Sequence, residues 1–439
     1  MFKFITYLVF IVLAVSSATC AEFKLAAIIQ DHMILQQGVV NTIWGTAKAN
    51  QEISVTYASQ KTSVITNANG EWKVLLTPMK ASSKGCELLV VGEGTIVVKD
   101  VLVGEVWLAS GQSNMVSGIK QVPGLQKNIF SEQKDNKRVR AFINDKWYML
   151  SEQALHTSAV AFFFALKLEK KLDVPVGYVV VAQLGSKIEP FVPSIEAKAA
   201  NLGNKSSNIF NKRILPILNY SFKGVIWYQG ESNRGSKNYF ECLQALHRGW
   251  SRAFDMARMP FYMVQIAPYN KSVQKTSLIS DSVWAAQYRA ANEIPGMGLI
   301  ALHDTGINVK KIHPSSKQPV GERLAALALK NQYAKNVVTT GPVFSKATYE
   351  GNKVILSFEH IDQGLVTKDG KAPSYFELSV DGENFVEARA SIRGDQVEVE
   401  SEFIKKAKFV RMGWFDIAIP NLQDKNGWPV FAFPKQEIR

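Results

Sequence analysis

The middle of the chain alternates between short apolar runs and amphipathic segments, and this alternation restricts the possible folds more than any other feature. Its strand-like runs include VLVGEVWLAS, VPVGYVVVAQ, GVIWYQG, PFYMVQIA and GMGLIALHD, and its helical patterns include SAVAFFFALKLEKKL and QPVGERLAALALKNQYA. Strands that alternate with helices pair in parallel, because each helix returns the chain to the start of the next strand. Residues 101–333 therefore predict an α/β domain with a mostly parallel sheet and helices on both faces.

The segments on either side of this domain have a different pattern. Residues 22–100 contain short alternating stretches such as NTIWGTA, EISVTYA and EWKVLLTP, separated by Gly, Asn and Ser, which predicts an N-terminal β-sandwich. Residues 334–439 return to strand-like stretches such as KVILSFEH and YFELSV, which predict a C-terminal β module. A chain of 439 residues is long enough for two or three such domains.

The first 21 residues have the layout of a secretory signal peptide. Lys3 precedes the apolar run FITYLVFIVLAV, and small residues follow as far as Ala21. The apolar run is shorter than the roughly 18 to 20 residues that a membrane span needs. We therefore expect an exported protein, periplasmic or extracellular, with its signal peptide removed and without a membrane span. The residues before Cys20 form a poor lipobox, so ordinary cleavage is favoured over a lipid anchor.

The formal net charge is +13, and the lysines are spread along the chain. No basic run is interleaved with aromatic residues in the way a nucleic-acid groove needs, so no nucleic-acid partner is expected. The positive charge gives a weak preference for anionic substrates. Cys86 and Cys242 lie far apart and do not make a disulfide framework, so two buried thiols are expected. Nothing in the pattern specifies an oligomeric state.

Polar residues collect just after the predicted strands of the central domain. In an open α/β sheet the ligand crevice lies beyond the carboxyl ends of the strands, so these positions are the candidates for a site. Two loops share the pattern Gly-x-Ser-Asn, and either Ser113 or Ser232 could be an exposed nucleophile. The candidates are Gly111, Gln112, Ser113, Asn114, Gly185, Ser186, Gln229, Gly230, Glu231, Ser232, Asn233, His303, Asp304 and His313.

These residue types are the ones that acyl transfer requires. A serine hydroxyl needs a base to take its proton, a histidine suits that role at neutral pH, and the tetrahedral oxyanion needs donors already in place. The alternative is that Ser113 and Asn114 only cap a helix after a tight turn, and the pattern gives the two interpretations about equal weight. A metal site at His303, Asp304 and His313 lacks a further clear ligand at metal spacing, so no metal is expected.

Several segments, in chain order, are recognisable: DHMILQQ, IWGTA, GEWKVLLTP, DVLVGEVWLASGQSNM, VPVGYVV, IWYQGESN and IHPSSKQPVGERLA. Together they resemble the sialate O-acetylesterase family of carbohydrate esterases, part of the wider SGNH hydrolase group. The likeness runs from about Phe23 to about Ala325, and GQSNM with WYQGESN is a specific pair of motifs. The resemblance implies an SGNH-hydrolase-like, three-layer α/β domain with flanking β-sandwich modules.

The resemblance implies that Ser113 is the nucleophile, that His313 is the general base and that Ser232 is a bystander. The implied oxyanion donors are the backbone N–H groups of Ser113 and Gly185 and the side chain of Gln229. The implied reaction is two-step hydrolysis of an acetyl ester on a sugar through an acetyl-enzyme, without a cofactor or metal. Gln112 and Asn114 are expected to contact the substrate, and Glu231 and Asn233 are expected to contact it or to hold the loop geometry.

Lys311 departs from the family pattern Asp-Ile-His-Pro, in which an aspartate stands two positions before the histidine. A cation there would disfavour the imidazolium that forms during catalysis. Asp304 is the replacement expected to orient His313, and a backbone carbonyl is another. The expected substrate is an O-acetylated carbohydrate, with O-acetylated sialic acid in the lead. The alternatives are an esterase for plant or other polysaccharides, of the acetylxylan type, and a glycan-binding homologue with weakened catalysis.

Overall fold

The computed structural model describes residues 21–121, 133, 135–149, 156–203, 207–305 and 307–439. The predicted signal peptide lies outside these residues, apart from Ala21. Within the described ranges, no helix combines the length and the apolar character that crossing a membrane requires.

The N-terminal part of the chain is built from β-strands. Their bounds are Lys24–Leu25 (β1), Ile34–Gln36 (β2), Asn41–Thr46 (β3), Glu52–Tyr57 (β4), Gln60–Ile65 (β5), Glu71–Leu76 (β6), Ser82–Val91 (β7) and Thr95–Gly111 (β8). β1, β3 and β6 form one antiparallel sheet, whereas β4, β5 and β7 connect to β8. In β4 the apolar side chains of Ile53 and Val55 are buried and those between them are not, which is the alternation that the sequence predicts.

The central part alternates strands and helices, which confirms the predicted α/β class. Its further strands are Val139–Ile143 (β9), Lys146–Met149 (β10), Val176–Ala182 (β11), Gly224–Tyr228 (β12), Phe261–Val264 (β13) and Met297–Ile300 (β14). Its α-helices are Ser113–Val116 (α1), Ala159–Leu172 (α2), Ser194–Ala199 (α3), Tyr239–Ala253 (α4), Ala285–Glu293 (α5) and Gln318–Tyr333 (α6). Short 3₁₀ or π segments occupy Ile119–Gln121, Glu189–Phe191, Phe210–Ile214, Leu215–Ile217, Glu231–Asn233 and Ser280–Trp284.

The central strands run parallel in the order β9-β11-β8-β12-β13-β14, and β10 pairs antiparallel with β9. After β8 the chain first builds the β11 side of the sheet and then crosses to the β12 side. The strand order therefore reverses at β8, and a ligand crevice forms beyond the carboxyl ends of the strands at such a point. This topology places the residues that follow Gly111 at the crevice.

Strand β8 joins the N-terminal strands to the central sheet without a break. Leu88 of β7 pairs with Val98 in its first half, and Tyr178 of β11 pairs with Trp107 in its second half. Burial is partial up to Asp100 and complete from Val101 onward. The predicted domain boundary at residue 100 thus coincides with a change from a half-exposed to a fully buried strand, and a single hydrophobic core extends across it.

Helices α2 and α6 form where the sequence predicts them, and they pack against each other. α2 begins after Ser158, whose Oγ accepts a hydrogen bond from the Ala161 N–H at 3.1 Å, and α6 has Pro319 in its first turn. A Cβ atom at Gly321 would lie 2.5 Å from the Val160 carbonyl oxygen. The glycine therefore lets the two helix backbones approach closely.

The C-terminal part is again built from strands. Their bounds are Val343–Glu350 (β15), Lys353–Glu359 (β16), Leu365–Thr367 (β17), Phe376–Ser379 (β18), Val386–Arg393 (β19), Gln396–Glu400 (β20), Phe409–Met412 (β21), Leu422–Asp424 (β22) and Phe433–Glu437 (β23). The main sheet is antiparallel in the order β15-β16-β20-β19-β18-β21-β23, and β17 pairs with β22. Its core, which includes Leu356 and Phe376, is separate from the main core.

Asp416 ties this C-terminal part to the loop that precedes α5. Its side chain is 2% exposed. The carboxylate accepts hydrogen bonds from Thr276 Oγ1 at 2.7 Å and from the backbone N–H groups of Leu278 and Ile279 at 3.1 and 2.8 Å. The loop therefore has its buried donors satisfied by a residue more than 130 positions away in the chain.

Replacing Asp416 with alanine is expected to lower the free energy of unfolding by about 2 to 4 kcal/mol, because buried N–H donors lose their acceptor. Urea denaturation measures the change. Asp395, which is exposed, provides the matched control, and its alanine variant is expected to change stability by less than about 0.5 kcal/mol. Equal losses in the two variants would contradict the role assigned to Asp416.

Candidate active site

The turn after β8 places Ser113 at the switch point of the sheet. Gly111 has φ of +135°, and a Cβ atom there would lie 2.1 Å from the Tyr228 carbonyl oxygen, so glycine is required for β8 to approach β12 this closely. The Gln112 N–H donates to the same Tyr228 carbonyl at 2.9 Å. Ser113 is then the first residue of α1, and its side chain does not cap the helix, since Gln112 holds the cap position.

Ser113 and His313 are in hydrogen-bond contact. His313 Nε2 lies 2.9 Å from Ser113 Oγ, although the two residues are 200 positions apart. Partial desolvation and the nearby Lys317 ammonium lower the pKa of His313, so the imidazole is neutral at neutral pH. A neutral imidazole with its proton on Nδ1 presents Nε2 as an acceptor for the serine proton. The contact therefore has the geometry of a nucleophile beside its general base.

Asp304 does not lie against His313. Its carboxylate forms a two-pronged ion pair with Arg323, in which Nη1 donates to Oδ1 at 2.7 Å and Nη2 donates to Oδ2 at 2.5 Å. Burial raises the pKa of Asp304, but the Arg323 hydrogen bonds and charge outweigh it and lower the pKa overall. In the described part of the chain, no carboxylate is hydrogen-bonded to His313. This geometry does not match the expectation that Asp304 orients His313. Asp304 instead attaches the start of the loop between β14 and α6 to helix α6.

His303, the neighbouring candidate for a metal ligand, is buried. Burial lowers its pKa to about 4, so the ring is neutral at neutral pH. Asp304 is engaged by Arg323, and His313 faces Ser113. The described residues contain no group of three or more His, Cys, Asp or Glu side chains arranged to hold a metal ion.

Two of the three expected oxyanion donors are available. The backbone N–H groups of Ser113 and Gly185 have no hydrogen-bond acceptor among the described residues. Gly185 has φ of +64°, and its carbonyl oxygen accepts a hydrogen bond from Ser232 Oγ at 3.0 Å. Ser232 thus contacts the residue whose backbone N–H is an expected donor, on the carbonyl side of that residue. The second Gly-x-Ser-Asn loop is therefore packed against the Gly185 loop through Ser232.

Gln229, the third expected donor, is committed to protein acceptors. Its side chain is fully buried, and its Nε2 lies 2.8 Å from Asn233 Oδ1, 3.1 Å from Gln112 Oε1 and 3.2 Å from the Ser186 carbonyl oxygen. Its Oε1 accepts a hydrogen bond from the Tyr239 hydroxyl at 2.8 Å. Two amide hydrogens already face three acceptors, so this arrangement makes Gln229 a support for the loops rather than an oxyanion donor.

The side chains predicted to contact substrate are also buried. Gln112, Asn114, Glu231 and Asn233 are between 0 and 4% exposed. Asn233 Oδ1 accepts from the Ile188 N–H at 3.0 Å, and Gln112 Oε1 accepts from the Ser232 N–H at 3.2 Å. For Glu231 and Asn233, whose role the sequence left open, this burial favours holding the loops. For Gln112 and Asn114 it does not match the predicted contact with substrate.

Lys317 is a residue of the site that the sequence motifs did not single out. Its side chain is 2% exposed, and its Nζ donates to Asn114 Oδ1 at 2.5 Å. Nζ also lies 5.3 Å from the centroid of the Tyr228 ring. One sequence signal was present: Lys317 immediately precedes α6, where the helix dipole disfavours a cation. Lys311, by contrast, is exposed, so Lys317 is the lysine that acts on His313.

Comparisons with known proteins show which family the chain is similar to. A family model described as carbohydrate esterase, sialic acid-specific acetylesterase, matches residues 103–330. The sialate O-acetylesterase of Homo sapiens is 26% identical over 420 residues, which cover 81% of this chain and 80% of that protein. The sialate O-acetylesterase of Mus musculus is 25% identical over 463 residues, which cover 84% of each.

A solved structure extends the likeness to the whole fold. The crystal structure of a carbohydrate acetylesterase from Xanthomonas citri is 30% identical and has a TM-score of 0.86. It covers 94% of this chain, and this chain covers 99% of it. The resemblance drawn from the sequence motifs is thereby confirmed. The chain belongs to the carbohydrate esterase family of sialic acid-specific acetylesterases.

Proposed function

We propose that this protein is a serine esterase that removes O-acetyl groups from sugars through an acetyl-enzyme intermediate. The observation that carries the proposal is the 2.9 Å contact between Ser113 Oγ and His313 Nε2 at the switch point of the sheet. Membership of a carbohydrate esterase family supports a sugar ester as the substrate. The N–H groups of Ser113 and Gly185 donate to no acceptor among the described residues, and this supports an oxyanion site there.

In the first step, Ser113 Oγ attacks the acetyl carbonyl carbon while its proton passes to His313 Nε2. The carbonyl oxygen becomes an oxyanion that accepts hydrogen bonds from the Ser113 and Gly185 N–H groups. The intermediate collapses, the bond to the sugar oxygen breaks, and the leaving sugar takes the proton from the imidazolium. In the second step, His313 takes a proton from water, the hydroxide attacks the acetyl-enzyme, acetate leaves, and Ser113 recovers its proton.

O-acetylated sialic acid is the substrate that we favour. The named relatives are sialate O-acetylesterases, and the formal net charge of +13 favours approach of an anionic sugar. An acetylated neutral polysaccharide is the alternative, because the similar structure from Xanthomonas citri is described only as a carbohydrate acetylesterase.

We also propose that the protein is exported after removal of residues 1–21, and that its central domain has the three-layer arrangement of the SGNH group. The first proposal is supported by the apolar run after Lys3. The second is supported by the parallel strand order and by two pairs of packed helices, α2 with α6 and α4 with α5.

Replacing Ser113 with alanine or His313 with glutamine is expected to reduce kcat for an aryl acetate by about 10³-fold or more, because either change removes half of the nucleophile–base pair. Acetate release measures the rate. Ser232→Ala is the matched control from the second Gly-x-Ser-Asn loop, and it is expected to lose less than about tenfold. If Ser232→Ala lost activity and Ser113→Ala kept it, Ser232 rather than Ser113 would be the nucleophile.

Replacing Asp304 with asparagine is expected to lower the stability of the fold more than the catalytic rate. The buried pair with Arg323 is broken, so the free energy of unfolding should fall by about 2 to 4 kcal/mol, while kcat falls by less than about tenfold. Urea denaturation and steady-state kinetics separate the two effects. Glu293→Gln, which breaks an exposed pair with Arg289, should cost less than about 1 kcal/mol. A kcat loss near 10⁴-fold at unchanged stability would instead make Asp304 the orienting group.

Substrate class is tested by comparing kcat/KM for O-acetylated sialic acid with kcat/KM for acetylated xylan at equal acetyl concentration. We expect a preference of about tenfold or more for the sialic acid, and this preference should shrink as salt is added, because screening weakens the attraction of an anionic substrate. Ser113→Ala provides the background rate. A preference for xylan that does not depend on salt would support the polysaccharide alternative.

A further inference from the structure

A buried polar chain runs beneath the Ser113–His313 pair. Asn114 is the residue after Ser113, and its fully buried amide is at the centre of the chain. Its Oδ1 accepts from Lys317 Nζ at 2.5 Å, and its Nδ2 donates to Glu231 Oε1 at 2.5 Å and to the Ile312 carbonyl oxygen at 3.2 Å. One amide therefore connects a buried cation, a buried carboxylate and the peptide that immediately precedes His313.

The geometry of this chain fixes the histidine loop to the serine turn. Ile312 precedes His313, so the hydrogen bond from Asn114 Nδ2 holds the backbone of the histidine loop at the residue next to Ser113. The Lys317 donor determines which end of the Asn114 amide faces the loop, because Oδ1 is occupied by the ammonium and only Nδ2 can reach the Ile312 carbonyl. Asn114, Lys317 and Glu231 are at most 4% exposed, so water competes little for the contacts among these three side chains, whereas the hydrogen bond to the Ile312 carbonyl is partly buried.

We propose that Lys317 is a positioning residue for the Ser113–His313 pair, which it acts on in two ways. Through Asn114 it holds the backbone next to His313 against the serine turn, and through its charge it keeps the imidazole in the neutral form that accepts the serine proton. This inference rests on the proposed roles of Ser113 and His313.

The charges around the chain are consistent with an ammonium at Lys317. Burial lowers the pKa of Lys317 to about 8, and the charge of Glu231 acts in the opposite direction, so the group remains mostly protonated at neutral pH. The other polar groups that face the chain are the Tyr228 hydroxyl, whose pKa burial raises well above its usual value, and the Arg234 guanidinium, which acts on Glu231. Lys317 is therefore the cation that bears on His313.

The sign of the effect follows from like charges. Partial desolvation lowers the pKa of His313, and the Lys317 ammonium lowers it further because a nearby cation disfavours the imidazolium. The histidine then stays an active base at lower pH than an ordinary histidine. Removing the charge should raise the pKa of His313 and move the acidic limb of the kcat/KM profile to higher pH by the same amount.

The test compares Lys317→Gln, Lys317→Met and Lys311→Gln in the full chain. Glutamine keeps an N–H donor for Asn114 without the charge, methionine removes both, and Lys311 is an exposed lysine on the same loop. The pKa of His313 is measured by NMR titration of the histidine ring signals, assigned with His313→Gln, and kcat/KM is measured against pH. The NMR measurement does not require turnover.

We expect the pKa of His313 and the acidic limb to rise by about half a unit or more in both Lys317 variants and to stay unchanged in Lys311→Gln. Lys317→Met should also lose about tenfold or more in kcat relative to Lys317→Gln, because Asn114 loses its donor. If Lys317→Met does not fold, the double variant Glu231→Gln with Lys317→Met removes both buried charges together and takes its place.

The outcomes separate this inference from the esterase proposal. If acetate release depends on Ser113 but neither the His313 pKa nor the acidic limb moves in the Lys317 variants, the role of Lys317 is wrong and the function stands. If the wild type releases no acetate but the His313 pKa rises in both Lys317 variants, the electrostatic role of Lys317 stands and the esterase proposal fails. A shift confined to Lys311→Gln would assign the effect to the exposed lysine and overturn the inference.

Discussion

Strand β8 is the constraint on which the rest of the structure depends. It pairs with strands on both sides, and it is fully buried from Val101 to Gly111. Such a strand must be apolar or have every polar group satisfied. Glu105 meets this requirement by accepting from Gln36 Nε2 at 3.0 Å and from the Tyr333 hydroxyl at 2.8 Å. The strand that organises the core is thereby also joined to the end of α6.

Helix α6 is attached near both of its ends to β8 and to the turn that follows it. Its last residue, Tyr333, bonds to β8 at Glu105, and Lys317, just before its first residue, bonds to Asn114 beyond the end of the same strand. A helix of 16 residues spans about 24 Å, so both ends of α6 are fixed along β8. His313 lies four residues before Lys317, so the contact between Lys317 and Asn114 lies close in the chain to the contact between His313 and Ser113.

The sequence predicted the parts of the site that depend on topology and missed those that depend on which way a side chain faces. Strand–helix alternation and the positions after the strands made Ser113, Ser232 and His313 candidates, and the family resemblance chose Ser113 and His313 as nucleophile and base. Asp304 and Gln229 were placed at strand ends as expected, but their partners, Arg323 and Tyr239, lie on helices whose packing no local pattern encodes. Lys317 was missed because its place before α6 is only a weak signal, and its acceptor, Asn114, lies 203 positions away in the chain.

The pair that holds Asp304 links the site to the C-terminal module. Arg323 lies 5.4 Å from the centroid of the Trp428 ring, and one of its Nη2 hydrogens faces the Gly427 carbonyl oxygen at 3.4 Å. Lys368 donates to the backbone carbonyl of Asp304. The ion pair is itself largely buried, with 9% of the Arg323 side chain and 12% of the Asp304 side chain exposed, so the attraction between the two charges is stronger than it would be in water. The C-terminal module therefore contacts the start of the loop between β14 and α6 and helix α6 itself, which precede and follow His313 in the chain.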